Sequence, residues 1–266
     1  MEQIEHCGAI LAYKKIGVGE NAVILFYGYA QNNAVFDAFT AGLLESHTFY
    51  IIDLFFHGKS LWKSNEKLNN FFWLSLFMKF IEQTKLKNFD LIGYSLGGKF
   101  ALLTYEGMPT RVKSIYLIAP DGLYEDFWNT LLTSNTLMLR VLKFILSKWS
   151  FFRLLPYISF KIGLISKNVY SFVLINLDTK AKREKLYNCW SVFKDIKLPL
   201  TDLSTQIRKH YTSVNIYLGK QDEIIKEKHL KWFCVKAKRV QLTVLEANHY
   251  SILNESLNVI KKNIKM

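Results

Sequence analysis

Short apolar runs alternate with amphipathic stretches over the first 122 residues. Ala9–Ile16 and Ala22–Tyr27 are apolar segments separated by Gly17-Val-Gly-Glu-Asn21, the pattern of a hairpin. Asn33–Leu44 has helical spacing through Val35, Phe36, Phe39 and Leu43. Thr48–Asp53, β-branched and aromatic, reads as a buried strand, and Leu68–Thr84 as a long aromatic-rich helix. A strand at Phe89–Gly93, a helix at Leu96–Gly107 and a strand at Ser114–Ala119 follow, the last ending at Pro120-Asp-Gly122. Strands that alternate with helices in this way predict a mostly parallel twisted sheet with helices on both faces.

From Leu123 the pattern is helical and stays so to about Lys197, with no strand signal before Leu198-Pro199. The alternation resumes with a strand at Val214–Leu218, a helix near Glu227–Val235, a strand at Arg239–Leu245 and a helix at Ser251–Ile264. The expected organisation is an α/β core of residues 1–122 and 213–266, interrupted by an all-helical cap of residues 123–212. Such a cap is expected over the C-terminal edge of the sheet, where ligands of open α/β folds bind.

Half of the 266 residues are hydrophobic and 21% are charged, which allows a sizeable core and excludes a disordered chain. No apolar stretch is long enough to span a membrane: the region 131–177 is broken by Arg140, Lys143, Lys148, Arg153, Lys161 and Lys167. The first residues lack the basic and apolar segments of a secretion signal, and Cys7, Cys189 and Cys234 form no CxxC pair. A cytoplasmic location without disulfides or a metal knuckle is expected. The net charge of +13 is uneven: residues 123–212 hold 14 Lys and Arg against 6 Asp and Glu, a net +8, leaving +5 for the rest. An acidic partner and a merely solvated basic surface are both open; no nucleic-acid-binding motif accompanies the charge, so nucleic acid is not expected.

The sharpest chemical signal is Gly93-Tyr-Ser95-Leu-Gly97, a G-x-S-x-G between a predicted strand and a predicted helix. Gly93 and Gly97 let the backbone close into a tight elbow, which projects the Ser95 hydroxyl at the top of the sheet, facing a helix N-terminus. A serine hydroxyl needs a base, and the base an orienting acid. Asp222 follows the strand Val214–Leu218 and His249 follows Arg239–Leu245, so both fall on loops at the same edge as Ser95. Glu223 and Asp121 are alternative acids. His6, His47, His210 and His229 lie before strands or inside a helix, and His57 is out of the chain order. Acyl transfer also needs oxyanion donors, for which the N–H groups of Leu96 and Tyr29 are the candidates, Gly28 letting the intervening loop turn.

These segments resemble the α/β-hydrolase superfamily, in its cap-bearing branch of small bacterial esterases. Leu25-Phe-Tyr-Gly28 is similar to the strand that precedes the family's oxyanion loop, with Tyr27 where His is usual. Asp53-Leu-Phe-Phe-His-Gly58-Lys-Ser60 resembles its D-L-x-G-x-G-x-S segment, with Phe56 where Gly is usual. Leu91–Gly98 resembles the nucleophile elbow, Gly219-Lys-Gln-Asp222 the acid loop, and His249 the terminal histidine. The likeness covers about 1–122 and 213–266, not the cap.

The resemblance implies a serine hydrolase of carboxylic esters or thioesters, working through Ser95, His249 and Asp222 without metal or organic cofactor. Carbon–carbon bond hydrolases and perhydrolases share the same triad, and a receptor that keeps the triad but signals through its cap is the alternative from another class. Cap aromatics such as Phe127, Trp128, Trp149, Phe172 and Trp190 suggest an apolar acyl or aromatic substrate portion. The cap's positive charge is similar in kind to that of the pimeloyl-[acyl-carrier-protein] methyl ester esterases, and implies an acidic acyl carrier protein as partner, with Lys180, Lys182, Arg183 and Lys185 its densest cluster.

Overall fold

The computed structural model describes residues 1–124 and 136–264. Phe127 and Trp128 therefore lie outside the described residues, as does the side chain of Phe172. By its contacts the chain divides into two compact units, residues 1–124 with 197–266, and residues 125–196.

The first unit is built on a nine-stranded sheet. Its strands are β1 (Glu2–His6), β2 (Ala9–Ile16), β3 (Asn21–Phe26), β4 (His47–Ile52), β5 (Leu61–Trp62), β6 (Phe89–Tyr94), β7 (Val112–Ile118), β8 (Ser213–Gly219) and β9 (Val240–Leu245). They run in the order β1-β2-β4-β3-β6-β7-β8-β9, with β5 beside β2. From β4 to β9 every pairing is parallel, whereas β1, β2 and β5 are antiparallel additions at one edge. β4 is buried throughout and β3 in all but its first residue, which is why both read as unbroken apolar runs.

The hairpin expected between Ala9–Ile16 and Ala22–Tyr27 does not form. β4 inserts between these strands, pairing antiparallel with β2 and parallel with β3. β2 instead makes its hairpin with β1 through Cys7 and Gly8, both at positive φ (46° and 78°), the geometry that matches strand twist in a two-residue turn. The helix expected over Asn33–Leu44 is shorter, a 3₁₀ turn at Asn33–Phe36 followed by α1 (Asp37–Thr40).

Two longer helices follow in this part of the chain. α2 (Asn70–Thr84) starts where the Asn69 side chain accepts the Phe72 N–H at 2.9 Å, and stops at Lys85 in the left-handed region. Its apolar face carries Trp73 and Phe77 onto Phe26 and Phe100, and the Trp73 indole donates to Thr104 Oγ1 at 3.1 Å, which satisfies its buried N–H. α3 (Leu96–Gly107) follows β6 directly.

The second unit contains α4 (Thr136–Ser147), α5 (Trp149–Phe152), α6 (Leu154–Lys161), α7 (Lys167–Leu177) and α8 (Lys180–Phe193). The chain then re-enters the first unit with α9 (Leu200–His210), α10 (Glu227–Ala237) and α11 (Ile252–Ile264). The return falls at 196/197 rather than 212/213, because α9 buries Leu203, Ser204 and Ile207 while packing on α3 and α10. Among the described residues no helix is long and apolar enough to cross a membrane.

Candidate active site

Register decides which loops meet. Phe26 is paired with Gly93, Tyr94 with Ile118, Ile118 with Tyr217, and Gly219 with Leu245. The C-terminal ends of β3, β6, β7, β8 and β9 are thus level, and the residues just beyond them emerge at one edge.

At the centre stands Ser95, between β6 and α3. Its backbone has φ 49° and ψ −119°, a conformation that L-residues rarely adopt and that a rigid surround must maintain. The surround is visible in hydrogen bonds: Ser95 N–H donates to Ile118 O at 2.9 Å, and Ser95 O accepts from Gly98 N–H at 2.8 Å and Asp121 N–H at 2.9 Å. The elbow glycines are required by space. A Cβ on Gly93 would press on Gly97 O and Gly98 Cα, both at 2.7 Å, and one on Gly97 would collide with the end of β3 at Phe26 and Tyr27.

His249 and Asp222 come to this serine from loops 27 residues apart in sequence. His249 Nε2 lies 3.2 Å from Ser95 Oγ, and its Nδ1 lies 2.7 Å from Asp222 Oδ2. A carboxylate accepts, so Nδ1 carries the hydrogen and Nε2 is left as acceptor for the serine hydroxyl. The second Asp222 oxygen accepts the N–H groups of Ile224 at 2.8 Å and Ile225 at 2.9 Å, which locks the carboxylate. Both residues are buried. Tyr94, the residue before the serine, donates its hydroxyl to His249 O at 2.7 Å and so ties the histidine loop to the elbow. Its phenol is held above its ordinary pKa by burial and, secondarily, by the charge of Asp222.

The alternative acids stand elsewhere. Asp121 turns its carboxylate back to the Gly122 N–H at 2.7 Å, and Glu223 is exposed. Of the other histidines, His47 is buried beside Ser46 and His229 stacks on Tyr124.

The loop after β3 runs beside Ser95: a Cβ on Gly28 would stand 3.3 Å from Ser95 Cβ. Tyr29 lies in this loop, its ring edge-on to that of His57 at 5.6 Å. Gly28 N–H donates to Gln31 Oε1 at 3.1 Å, and Ala30 N–H donates to His57 Nε2 at 3.0 Å. Leu96 is the first residue of α3, where an N–H has no acceptor within the helix.

His57 is the site-forming residue that chain order obscured. Its Nδ1 donates to Phe55 O at 3.0 Å while Nε2 accepts from Ala30, so the ring is neutral in this arrangement and joins the loop after β4 to the loop after β3. The two departures from the family pattern lie on these same two loops. Tyr27 donates its hydroxyl to the wholly buried Asp53 at 2.7 Å, and Phe56 adopts the positive φ, 66°, that glycine usually supplies. The available signal was the segment Asp53–Ser60 itself, whose backbone is folded around Asp53: its carboxylate accepts Lys59 N–H, and its carbonyl accepts the Ser60 hydroxyl.

Known proteins share this architecture. Residues 21–153, half of the chain, match the family described as the alpha/beta hydrolase fold. Over 102 residues the chain is 29% identical to a protein of Mycoplasma genitalium named as an esterase/lipase. That match covers 38% of this chain and 38% of the relative, so it spans about two fifths of that protein's length. Among solved structures, an α/β hydrolase from a Medee basin deep-sea metagenome library superposes with a TM-score of 0.73 at 14% identity, covering 100% of this chain and 98% of that one. A thermophilic esterase from Thermogutta terrifontis gives 0.70 at 14% identity, covering 100% and 97%. Likeness at such identity speaks for the fold. Joined to the level sheet edge, the strained serine elbow and the family match over residues 21–153, it leads to one conclusion: this chain belongs to the α/β hydrolase family.

Proposed function

We propose that this chain is a serine hydrolase of carboxylic esters or thioesters that works through an acyl-enzyme. The observation that carries the reading is the hydrogen-bonded series from Ser95 Oγ to His249 Nε2 (3.2 Å) and from His249 Nδ1 to Asp222 Oδ2 (2.7 Å). In this reaction His249 takes the proton as Ser95 Oγ bonds to the substrate carbonyl carbon, and the carbonyl oxygen becomes an oxyanion. Asp222 stabilises the imidazolium that forms. The N–H groups of Tyr29 and Leu96 hold the oxyanion until the C–O or C–S bond breaks and His249 returns the proton to the leaving group. Water then repeats the sequence on the acyl-enzyme. Gly93 and Gly97 keep the elbow tight, and His57 acts as a positioning residue, fixing the oxyanion loop through Ala30.

The test combines active-site labelling with turnover. The wild-type chain should react with a fluorophosphonate probe and hydrolyse p-nitrophenyl esters over many turnovers, while folded Ser95→Ala does neither, losing on the order of 10⁴–10⁶ in kcat. A single acylation event without turnover would favour the receptor reading, and wild-type turnover by Ser95→Ala would end the proposal.

A further inference from the structure

The second unit carries an apolar surface that its own fold does not explain. α4 packs on α8 with Leu139, Leu142 and Leu146 buried, as an amphipathic helix should. Its opposite side is also apolar: Leu137, Val141 and Phe144 follow the spacing of a single helical face, and Phe144 is 57% exposed. α5 and α6 bury no residue at all. On them Phe151 is 78% exposed, and Leu154, Leu155 and Ile158 are more exposed than buried or nearly so, again at helical spacing. A soluble helix that points its Leu, Ile and Phe to solvent and keeps none inside reverses the ordinary pattern.

The charge around this face is of one sign. Residues 136–167 contain Arg140, Lys143, Lys148, Arg153, Lys161 and Lys167, all exposed, and no Asp or Glu. The cluster expected to meet an acidic carrier is occupied differently. Lys182 donates to Ile175 O and Asp178, and Arg183 to the carbonyls of Leu177 and Asp178, so both close the C-terminal end of α7.

We infer that α4 to α6 and the turn up to Lys167 form a docking surface for an anionic lipid bilayer, lying in the interface with the apolar side chains among the acyl chains and the lysines and arginines at the headgroups. Helices of this kind combine exposed aromatic and aliphatic side chains with cations whose stems reach past the apolar layer. Two other occupants fit less well. A second copy of the chain would bring six cations against six with no acid between them. An acidic protein would meet the charge, but the cores of protein interfaces are poor in lysine, and four of these six cations are lysine. The inference concerns binding alone and stands whether or not Ser95 is catalytic.

The test is flotation of the full chain with phosphatidylcholine vesicles, with and without about a third phosphatidylglycerol. The chain should float with the anionic vesicles, weakly or not at all with pure phosphatidylcholine, and less as salt rises. Joint replacement of Arg140, Lys143, Arg153 and Lys161 by Gln should weaken partition about fivefold per residue, together on the order of 10²–10³. Phe151→Ser with Leu155→Ser, at unchanged charge, should weaken it about tenfold per residue. Thermal melts establish that these exposed replacements leave the fold intact. Absence from anionic vesicles overturns the inference, as does flotation that neither set of replacements reduces. Sedimentation that gives a dimer abolished by Phe151→Ser, or tight binding to a purified acidic acyl carrier protein without flotation, would assign the face to those partners instead.

Discussion

Replacing Asp222 by Asn changes one atom in a site whose hydrogen bonds predict the result. In the native arrangement Oδ1 accepts two backbone N–H groups, from Ile224 and Ile225, and Oδ2 accepts the His249 Nδ1–H. An amide has one oxygen and one NH₂, and the two backbone donors compete for the oxygen with the imidazole. Oriented to satisfy the backbone, the new amide presents its NH₂ to Nδ1, which must then be bare. The hydrogen moves to Nε2, and Ser95 loses its base. Turned over, the amide restores the useful tautomer but sets NH₂ against two N–H groups, that of Ile225 buried and that of Ile224 half-buried. Each lost hydrogen bond costs about 1–3 kcal/mol, so this orientation stands about 2–6 kcal/mol higher. The productive population, and with it kcat, should fall by about 30-fold to about 10⁴-fold. The assay is p-nitrophenyl ester hydrolysis at saturating substrate, with circular dichroism to show that the variant is folded. Asp121→Asn is the control, expected within about threefold of wild type because, among the described residues, its carboxylate accepts the neighbouring Gly122 N–H and is not directed at His249. If Asp222→Asn kept kcat within about fivefold while Asp121→Asn was crippled, the orienting role would belong to Asp121 and the argument from the two backbone donors would fail.

Ser95→Gly should be more stable than Ser95→Ala by about 1 kcal/mol in chemical denaturation, because glycine adopts φ 49° without strain; equal midpoints would mean the elbow is unstrained. His57→Ala should lower kcat about 10- to 100-fold with little change in KM, and His57→Gln, whose oxygen can accept the Ala30 N–H, should recover part of it; a change confined to KM would place His57 outside oxyanion stabilisation. Asp90, whose Oδ1 has no hydrogen-bond partner among the described residues, has its pKa pushed up to about 6 from an ordinary 3.8, mainly by desolvation. The folded state therefore binds this proton more tightly than the unfolded one, and stability falls as pH rises from about 4 to about 6. Asp90→Asn should accordingly stabilise the chain by about 1–3 kcal/mol near pH 8 and by nothing near pH 4, and an equal gain at both would refute that origin.

Much of the candidate site was legible in the sequence because its requirements are local. A serine elbow needs small residues two positions to either side, and Gly93 and Gly97 stand there, between a strand and a helix whose periods are plain. Asp222 and His249 were readable for a related reason: each follows a parallel strand, and parallel strands deliver their C-terminal loops to one edge whatever their order in the sheet. That order itself was not readable. β3 and β4 are both apolar runs that suit a fully buried strand, and nothing in either says that β4 lies between β2 and β3. The order appears only in the pairings of the assembled sheet, where β4 takes β2 on one edge and β3 on the other. α9 shows the same limit, since the apolar side formed by Leu203 and Ile207 could have packed on either unit, and its contacts with α3 and α10 decide. His57 shows it most clearly. Its value to the site lies in one hydrogen bond to Ala30, 27 residues earlier, and only the packing of β3 against β4 brings those two loops within 3.0 Å.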